Sequence, residues 1–273
     1  MGDDFADNPN VSATYLANKY NEYSIQIIRW ILKSINAWPR PDDVSIVEKI
    51  GSDFATFTCY FLMAAIIVPN AMSMLFDSQQ SYESKLLNIG PLTFCSSAVV
   101  KYFFFLRHLD DIHDCVEHVK TDWLIIRRFE DQRLMLKSAK LGRNIAGFCA
   151  VFMQCVVFSY NVIQSLPKTI LHVQNSSIIV RTLPYPFYSK ILDAHFSPAY
   201  ELVYLLQCLS SIVISSVTAA SYALSAVFVM HACGQMRVMI SWLENLVDGR
   251  NEEKTSVKER FAIIVKHHLR ILR

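Results

Sequence analysis

Four stretches of the chain are apolar enough and long enough to cross a bilayer, and the segments between them are polar or amphipathic. A spanning helix needs about 20 mostly apolar residues to cover roughly 30 Å of hydrocarbon, because every backbone amide must be bonded within its own segment. The stretches are 54–76, 86–106, 144–164 and 202–231, and they predict an all-α fold, a polytopic membrane helical bundle. The last is the longest. It begins among aromatics and runs to His231, which predicts a tilted helix projecting beyond the bilayer. Pro69 is expected to bend the first span by removing a backbone donor, whereas Pro91 falls in the first turns of the second, where it costs less.

The remaining segments also carry pattern. Within the N-terminal segment 1–53, Ile25, Ile28, Leu32 and Ile35 recur at helical spacing across Tyr23–Ala37, with Gln26, Arg29 and Lys33 on another face. This predicts an amphipathic interfacial helix at the inner membrane surface, flanked by Trp30 and Trp38 and ended by Trp38-Pro39-Arg40-Pro41; packing against cytoplasmic parts of the same protein is the alternative. Segment 107–143 has helical periodicity, with Trp123, Ile126, Leu134 and Leu141 among charges, and predicts long cytoplasmic helical extensions of spans two and three. Segment 165–201 reads as an extracellular loop. Segment 232–273 holds a turn at Asp248-Gly249-Arg250-Asn251 and a second amphipathic stretch that stops in mid-pattern at Arg273, as expected of a truncated sequence.

Composition supports membrane insertion: 52% of residues are hydrophobic, 18% are charged, and the mean hydropathy is +0.26. No secretory signal precedes the first span, which is expected to start insertion itself. Charge then orients the bundle, because cytoplasmic flanks carry the excess of lysine and arginine. Of the 26 such residues, 21 lie in 1–53, 107–143 and 232–273, and only Lys85, Lys168, Arg181 and Lys190 fall in the other two loops. Lys101, inside span two, is read as snorkelling to the cytoplasmic face. Both ends of the chain are therefore expected in the cytoplasm.

Candidate chemistry is sparse. Cys59, Cys95, Cys149, Cys155 and Cys208 lie in spans, Cys233 at an inner end and Cys115 in a cytoplasmic segment, so no disulfide clamps an outer loop. The cluster His108, Asp110, Asp111, His113, Asp114, Cys115, Glu117 and His118 has neither CxxC nor HExxH spacing and reads as a solvated helix face, not a metal site. No Gly-x-Ser-x-Gly, phosphate loop or dinucleotide fingerprint occurs, and intramembrane ionisable groups are few. Enzyme, ion-coupled transporter, cofactor-binding and nucleic-acid-binding readings all fall.

What remains is a bundle whose outer halves enclose a small apolar molecule. Phe94, Ser97 and Ala98 share a face of span two; Gln154, Phe158 and Asn161 share one of span three; Tyr204, Cys208, Ser211 and Ser215 follow the same spacing on span four. All of these but Ser215 are the candidate ligand-binding residues, although small and hydroxyl residues are equally at home where membrane helices pack. Asn175-Ser176-Ser177 is the expected glycosylation site; Asn10-Val11-Ser12 has the same motif on the cytoplasmic side, where it is not modified.

Several segments resemble the insect odorant receptor family, and its hymenopteran branch in particular. They are Asp7-Asn8-Pro9-Asn10, Arg29-Trp30 to Trp38-Pro39, Leu183-Pro184-Tyr185-Pro186-Phe187-Tyr188, Ser197-Pro198-Ala199-Tyr200-Glu201 with Tyr204 and Gln207, His231-Ala232-Cys233-Gly234-Gln235, and His267-His268-Leu269-Arg270-Ile271-Leu272. The resemblance implies seven membrane helices, of which four are present here, and a cytoplasmic N-terminus. It implies an odorant receptor subunit that forms a heterotetrameric, ligand-gated cation channel with a co-receptor subunit in the plasma membrane of olfactory sensory neurons. The ligand is a small volatile molecule held between outer parts of helices two, three, four and later ones. The pore-forming last three helices would follow Arg273, so the chain alone is not expected to conduct. The nearest rival is a gustatory receptor of the same superfamily, then a non-sensory multipass protein. A G-protein-coupled receptor would need an extracellular N-terminus and an Asp-Arg-Tyr-like end to span three, where Tyr160-Asn161 stands instead.

Overall fold

The computed structural model describes residues 9–39, 45–77, 81–126, 128–166, 168–173, 176–188, 192, 194, 196–247 and 256–271. The Asn175 acceptor and the turn at Asp248–Asn251 lie outside them, as does the side chain of Asn10. The described elements are α1 (Pro9–Ser34), α2 (Ile46–Phe76), α3 (Tyr82–Arg107), α4 (Leu109–Ile125), α5 (Phe129–Ser165), β1 (Lys168–Val173), β2 (Ser176–Arg181), α6 (Ala199–Glu244) and α7 (Val257–Ile271). Among them α2, α3, α5 and α6 are long and apolar enough to cross a membrane. At 1.5 Å per residue, α6 is roughly 69 Å long and α5 roughly 55 Å, well beyond the hydrocarbon thickness. A short antiparallel hairpin, with Lys168 opposite Arg181 and Val173 opposite Ser176, joins the helices as an element the helical reading did not include.

Burial separates the spans. Only 17% of the apolar window of α3 and of α5 is buried, against 44% of that of α6, so α6 is the most enclosed span and the others present apolar flanks outward. Phe57, Phe61, Val100, Phe104, Phe148 and Val151 are exposed in this way, as lipid-facing side chains must be.

The chain forms two compact units, one of Met1–Arg29, Asp110–Phe148 and Tyr222–Arg273, the other of Trp30–Leu109 and Cys149–Ser221. In the first, Trp123 of α4 is fully buried with its ring 5.3 Å from that of Tyr20 on α1. Arg143 of α5 donates to the Tyr23 carbonyl at 2.8 Å and to Gln26 Oε1 at 3.0 Å, while its guanidinium lies 4.5 Å from the Tyr23 ring centroid. A polar knot ties α4, α6 and α7: Asp122 accepts from His231 Nε2 at 2.9 Å and Arg270 Nε at 2.6 Å. Nearby, the Trp242 indole donates to Asp131 at 2.8 Å.

α7 docks by burying Ile264 and His267, the latter with its ring 4.8 Å from Trp242 and Nε2 without a hydrogen-bond partner among the described residues. Burial lowers the basicity of His267 against the opposing pull of Asp122. Its folded-state pKa lies below the unfolded one, so the unfolded chain takes up the proton first. Stability is therefore complete above the ordinary histidine range and falls as the pH drops below about 6.5. Thermal unfolding in micelles between pH 7.5 and 5.5 is expected to show this loss in the wild type and a weaker one in His267→Phe; equal pH dependence would refute it.

In the second unit, α1 stops through its own sequence. Asn36 takes φ 56°, and the Ala37 and Asn36 amides donate to the Leu32 and Lys33 carbonyls, a Schellman closure with asparagine in the left-handed position. The stop thus precedes the Trp38-Pro39 pair. The Asn36 side-chain amide then donates to Ser52 O, Ser52 Oγ and Thr56 Oγ1 of α2 at 2.8–2.9 Å. α2 starts at a capping box, Ser45 with Glu48. It packs on α3, where fully buried Tyr102 meets the Tyr60 ring at 5.0 Å and donates to the Ile35 carbonyl at 2.9 Å. The apolar face of α1 is buried within protein, with Ile25, Ile28, Leu32 and Ile35 each at most 2% exposed, while Trp30 is exposed on another side.

α3 and α4 are separate helices, because His108 leaves helical geometry at φ −115°, ψ 33°. α5, by contrast, runs unbroken from Phe129 into the third span. On α4 the acidic and histidine residues 110, 111, 113, 114, 117 and 118 are all exposed, as a solvated face requires.

Candidate functional site: an apolar cavity closed by Tyr185

The second unit contains a cavity of about 210 Å³. Its walls are Gly90, Pro91 and Phe94 of α3, and Met153, Val156, Val157 and Tyr160 of α5; Tyr185, from the segment after β2, completes it. Gly90 supplies part of the space, since a Cβ built there meets nothing within 4 Å. The lining is apolar almost throughout. At roughly 30 Å³ per water-sized group, the volume admits about seven heavy atoms.

Tyr185 is held from two sides. Its ring centroid lies 5.3 Å from that of Tyr160, and its backbone is bonded by the buried side chain of Gln207 on α6. The Tyr185 N–H donates to Gln207 Oε1 at 3.2 Å, and Gln207 Nε2 donates to the Tyr185 carbonyl at 3.0 Å. The rest of the segment is strapped down as well. Thr182 Oγ1 donates to the Gln164 carbonyl at 2.8 Å, Tyr200 donates to the Thr182 carbonyl at 3.3 Å, and the Tyr188 ring lies 6.2 Å from Phe76. Burial, above all, raises the pKa of the Tyr185 hydroxyl, so it stays neutral and the cavity carries no charge there.

The nine candidate residues fall into five groups. Phe94 lines the cavity. Beside it on α3, Ser97 turns its hydroxyl back to the Phe94 carbonyl at 2.8 Å, and Ala98 is fully buried. Gln154, Asn161 and Ser211 form a polar seam between α5 and α6. Gln154 donates to Ser216 and accepts from Ser215, both at 3.0 Å, and Asn161 donates to Ser211 at 2.7 Å. Tyr204 stacks on Tyr200 at 6.0 Å and Cys208 is half-buried, its carbonyl accepting from Ser211. Phe158 is 71% exposed and outside the lining.

The structure also brings in residues the sequence reading did not select: Gly90, Pro91, Met153, Val156, Val157, Tyr160, Tyr185 and Gln207. One signal for them was present. Pro91 breaks the backbone bonding of α3 where the cavity opens, and Tyr185 sits in the proline-flanked run Leu183–Tyr188.

Four apolar helices of spanning length, with an apolar cavity between two of them, define a multi-pass membrane protein. A family model described as 7tm Odorant receptor matches residues 81–273, more than two thirds of the chain. The chain belongs to this odorant receptor family. No curated protein matches it.

Proposed function

We propose that the chain is an odorant-binding receptor subunit in which a small volatile molecule occupies the cavity between α3, α5 and Tyr185. The observation that carries this reading is that cavity: a partly open, uncharged, apolar pocket, sized for about seven heavy atoms in a member of an odorant receptor family. Burying that many carbons contributes about 5 kcal/mol, which corresponds to a dissociation constant of about 0.1–1 mM. Phe94 contacts the ligand directly. The seam of Gln154, Asn161 and Ser211 holds α5 against α6 behind it, with Ser97, Ala98, Tyr204, Cys208 and Phe158 as flanking positions.

The 21-to-4 division of basic residues supports a plasma-membrane orientation with both ends of the chain in the cytoplasm. The hairpin and Asn175 are then extracellular. The cavity, drawn from the beginning of α3 and the end of α5, opens in the outer half of the bilayer. In an assembly with a co-receptor subunit, as the family resemblance implies, a ligand that fits one state of this site better shifts the closed-to-open balance of a cation channel in olfactory sensory neurons.

Gly90→Phe tests the site. The new Cβ enters open space, and a helix-propensity gain of about 0.5 kcal/mol over glycine offsets part of its crowding against the following Pro91, so the fold is kept at a small cost while the cavity is filled. In full-length form and co-expressed with the co-receptor, the wild type is expected to give currents to some members of a panel of seven-carbon volatiles. Gly90→Phe is expected to give none at equal surface expression. Retained responses in Gly90→Phe would place the ligand elsewhere, and silence of the wild type to the whole panel would remove the sensing role.

A further inference from the structure

We infer that Gln207 is a specificity-determining residue that acts through Tyr185: its side-chain amide sets how far the tyrosine closes the cavity and so limits the size of the ligand. This rests on the cavity being the ligand site.

The reasoning begins with the run Pro184-Tyr185-Pro186. Neither proline has a backbone N–H, so Tyr185 supplies the one donor of the three residues. Pro186 also restricts Tyr185 to extended backbone, which excludes a helical turn as a way of satisfying that donor. Pro184 and Tyr185 are buried, so an unbonded N–H or carbonyl at Tyr185 is costly. The primary amide of Gln207 offers one acceptor and one donor at the right separation, and both are used on this single residue. Gln207 is itself 2% exposed on α6 and cannot turn to water. The chain thus places one buried side chain behind the backbone of the residue whose ring forms a cavity wall.

Gln207 touches no part of the cavity itself, since it is absent from the lining residues. It is a positioning residue. When its two bonds are intact, Tyr185 is pinned against Tyr160 and forms one wall of the partly open space of about 210 Å³. When one bond is lost, the Tyr185 backbone can shift and its ring retreat, and the site admits a longer molecule. Each additional buried methylene strengthens binding about fourfold, so two more carbons are worth about tenfold or slightly more.

The test uses the whole chain in lipid nanodiscs with two probes, toluene and the two-carbon-longer isopropylbenzene. Site binding is defined as the part of ligand-detected NMR saturation transfer that Gly90→Phe abolishes, which removes partition into lipid. In Gln207→Met, which keeps the length but removes both the donor and the amide acceptor, and in Gln207→Asn, which shortens the reach, the affinity ratio of isopropylbenzene to toluene is expected to rise about tenfold. A purely structural role would weaken both probes alike and leave the ratio unchanged. Tyr185→Ala is expected to raise the ratio as well, and adding Gln207→Asn to it is expected to change nothing further, because the amide acts through the tyrosine. An unchanged ratio in both Gln207 variants, or additivity on Tyr185→Ala, overturns the inference while the site stands. No difference between the wild type and Gly90→Phe with either probe overturns the site and the inference together.

Discussion

Asp122→Ala is expected to lower the stability of the unit containing α4, α6 and α7 by about 2–3 kcal/mol, the low side of what breaking a buried ion pair costs. The carboxylate is 15% exposed and accepts from His231, 10% exposed, and Arg270, 32% exposed. Without it, Arg270 can turn toward water but His231 cannot, and one residue that joined three helices is gone. Burial alone would raise the Asp122 pKa; the hydrogen bonds from His231 and then Arg270 outweigh it and hold the carboxyl below its usual range. The stabilisation is therefore fully present above the ordinary carboxylate pKa and is lost only as the pH falls through the depressed value. Asp122 is thus not a sensor of mild acid, which in this unit falls to His267. The measurement is thermal unfolding in micelles together with trypsin cleavage at the exposed Lys258 and Lys266 of α7. Asp122→Asn, which keeps an acceptor, is expected to lose about half as much. An unchanged melting temperature with unchanged cleavage would show that α7 is held by its apolar contacts alone.

Gly142→Leu is expected to cost about 3 kcal/mol or more, through overpacking and not through loss of any bond. A Cβ at Gly142 of α5 would lie 2.9 Å from Met230 Cβ and 3.4 Å from the Ala226 carbonyl oxygen of α6. The first distance is shorter than carbon atoms tolerate, and the neighbouring atoms are a Cβ and a backbone oxygen, neither of which can swing aside. Small residues allow helices to approach this closely, and a larger one must push them apart. Gly142→Ala is expected to cost about 1–2 kcal/mol, since a gain of about 1 kcal/mol in helix propensity offsets part of the clash. Gly51→Ala is the control: its Cβ meets nothing within 4 Å, and the variant is expected to be neutral or slightly stabilising. Melting temperatures of the three variants decide the matter, and a Gly142→Leu protein as stable as the wild type would mean that α5 and α6 do not approach as described.

The candidate residues on α5 show where sequence reasoning stops. Choosing Gln154, Phe158 and Asn161 by their seven-residue polar and aromatic spacing picks out one helix face. In an apolar medium polar side chains seek one another, so Gln154 and Asn161 became the seam with Ser211, Ser215 and Ser216, while Phe158 stayed exposed. The cavity wall lies on the adjacent face, at Met153, Val156, Val157 and Tyr160, whose side chains are no different in kind from lipid-facing ones. Composition cannot distinguish an apolar residue that faces lipid from one that faces an empty space. Tyr185 was still less legible, because its place depends on Gln207, 22 residues away on another helix.

By itself the sequence determined the four spans, the helical class and the uneven distribution of basic charge, because each follows from local length, hydropathy and composition, and a bilayer leaves a spanning segment little alternative to a helix. The halt of α1 at Asn36 was not read from the sequence, which placed it at Trp38-Pro39; its backbone closure is local, but the Asn36 side chain is held by Ser52 and Thr56 of α2. Tertiary packing alone selected which apolar side chains line a space, which polar ones meet across α5 and α6, and that Tyr185 forms a wall of the cavity. Those outcomes rest on pairings between residues distant in sequence, and packing geometry, not residue type, selects among them.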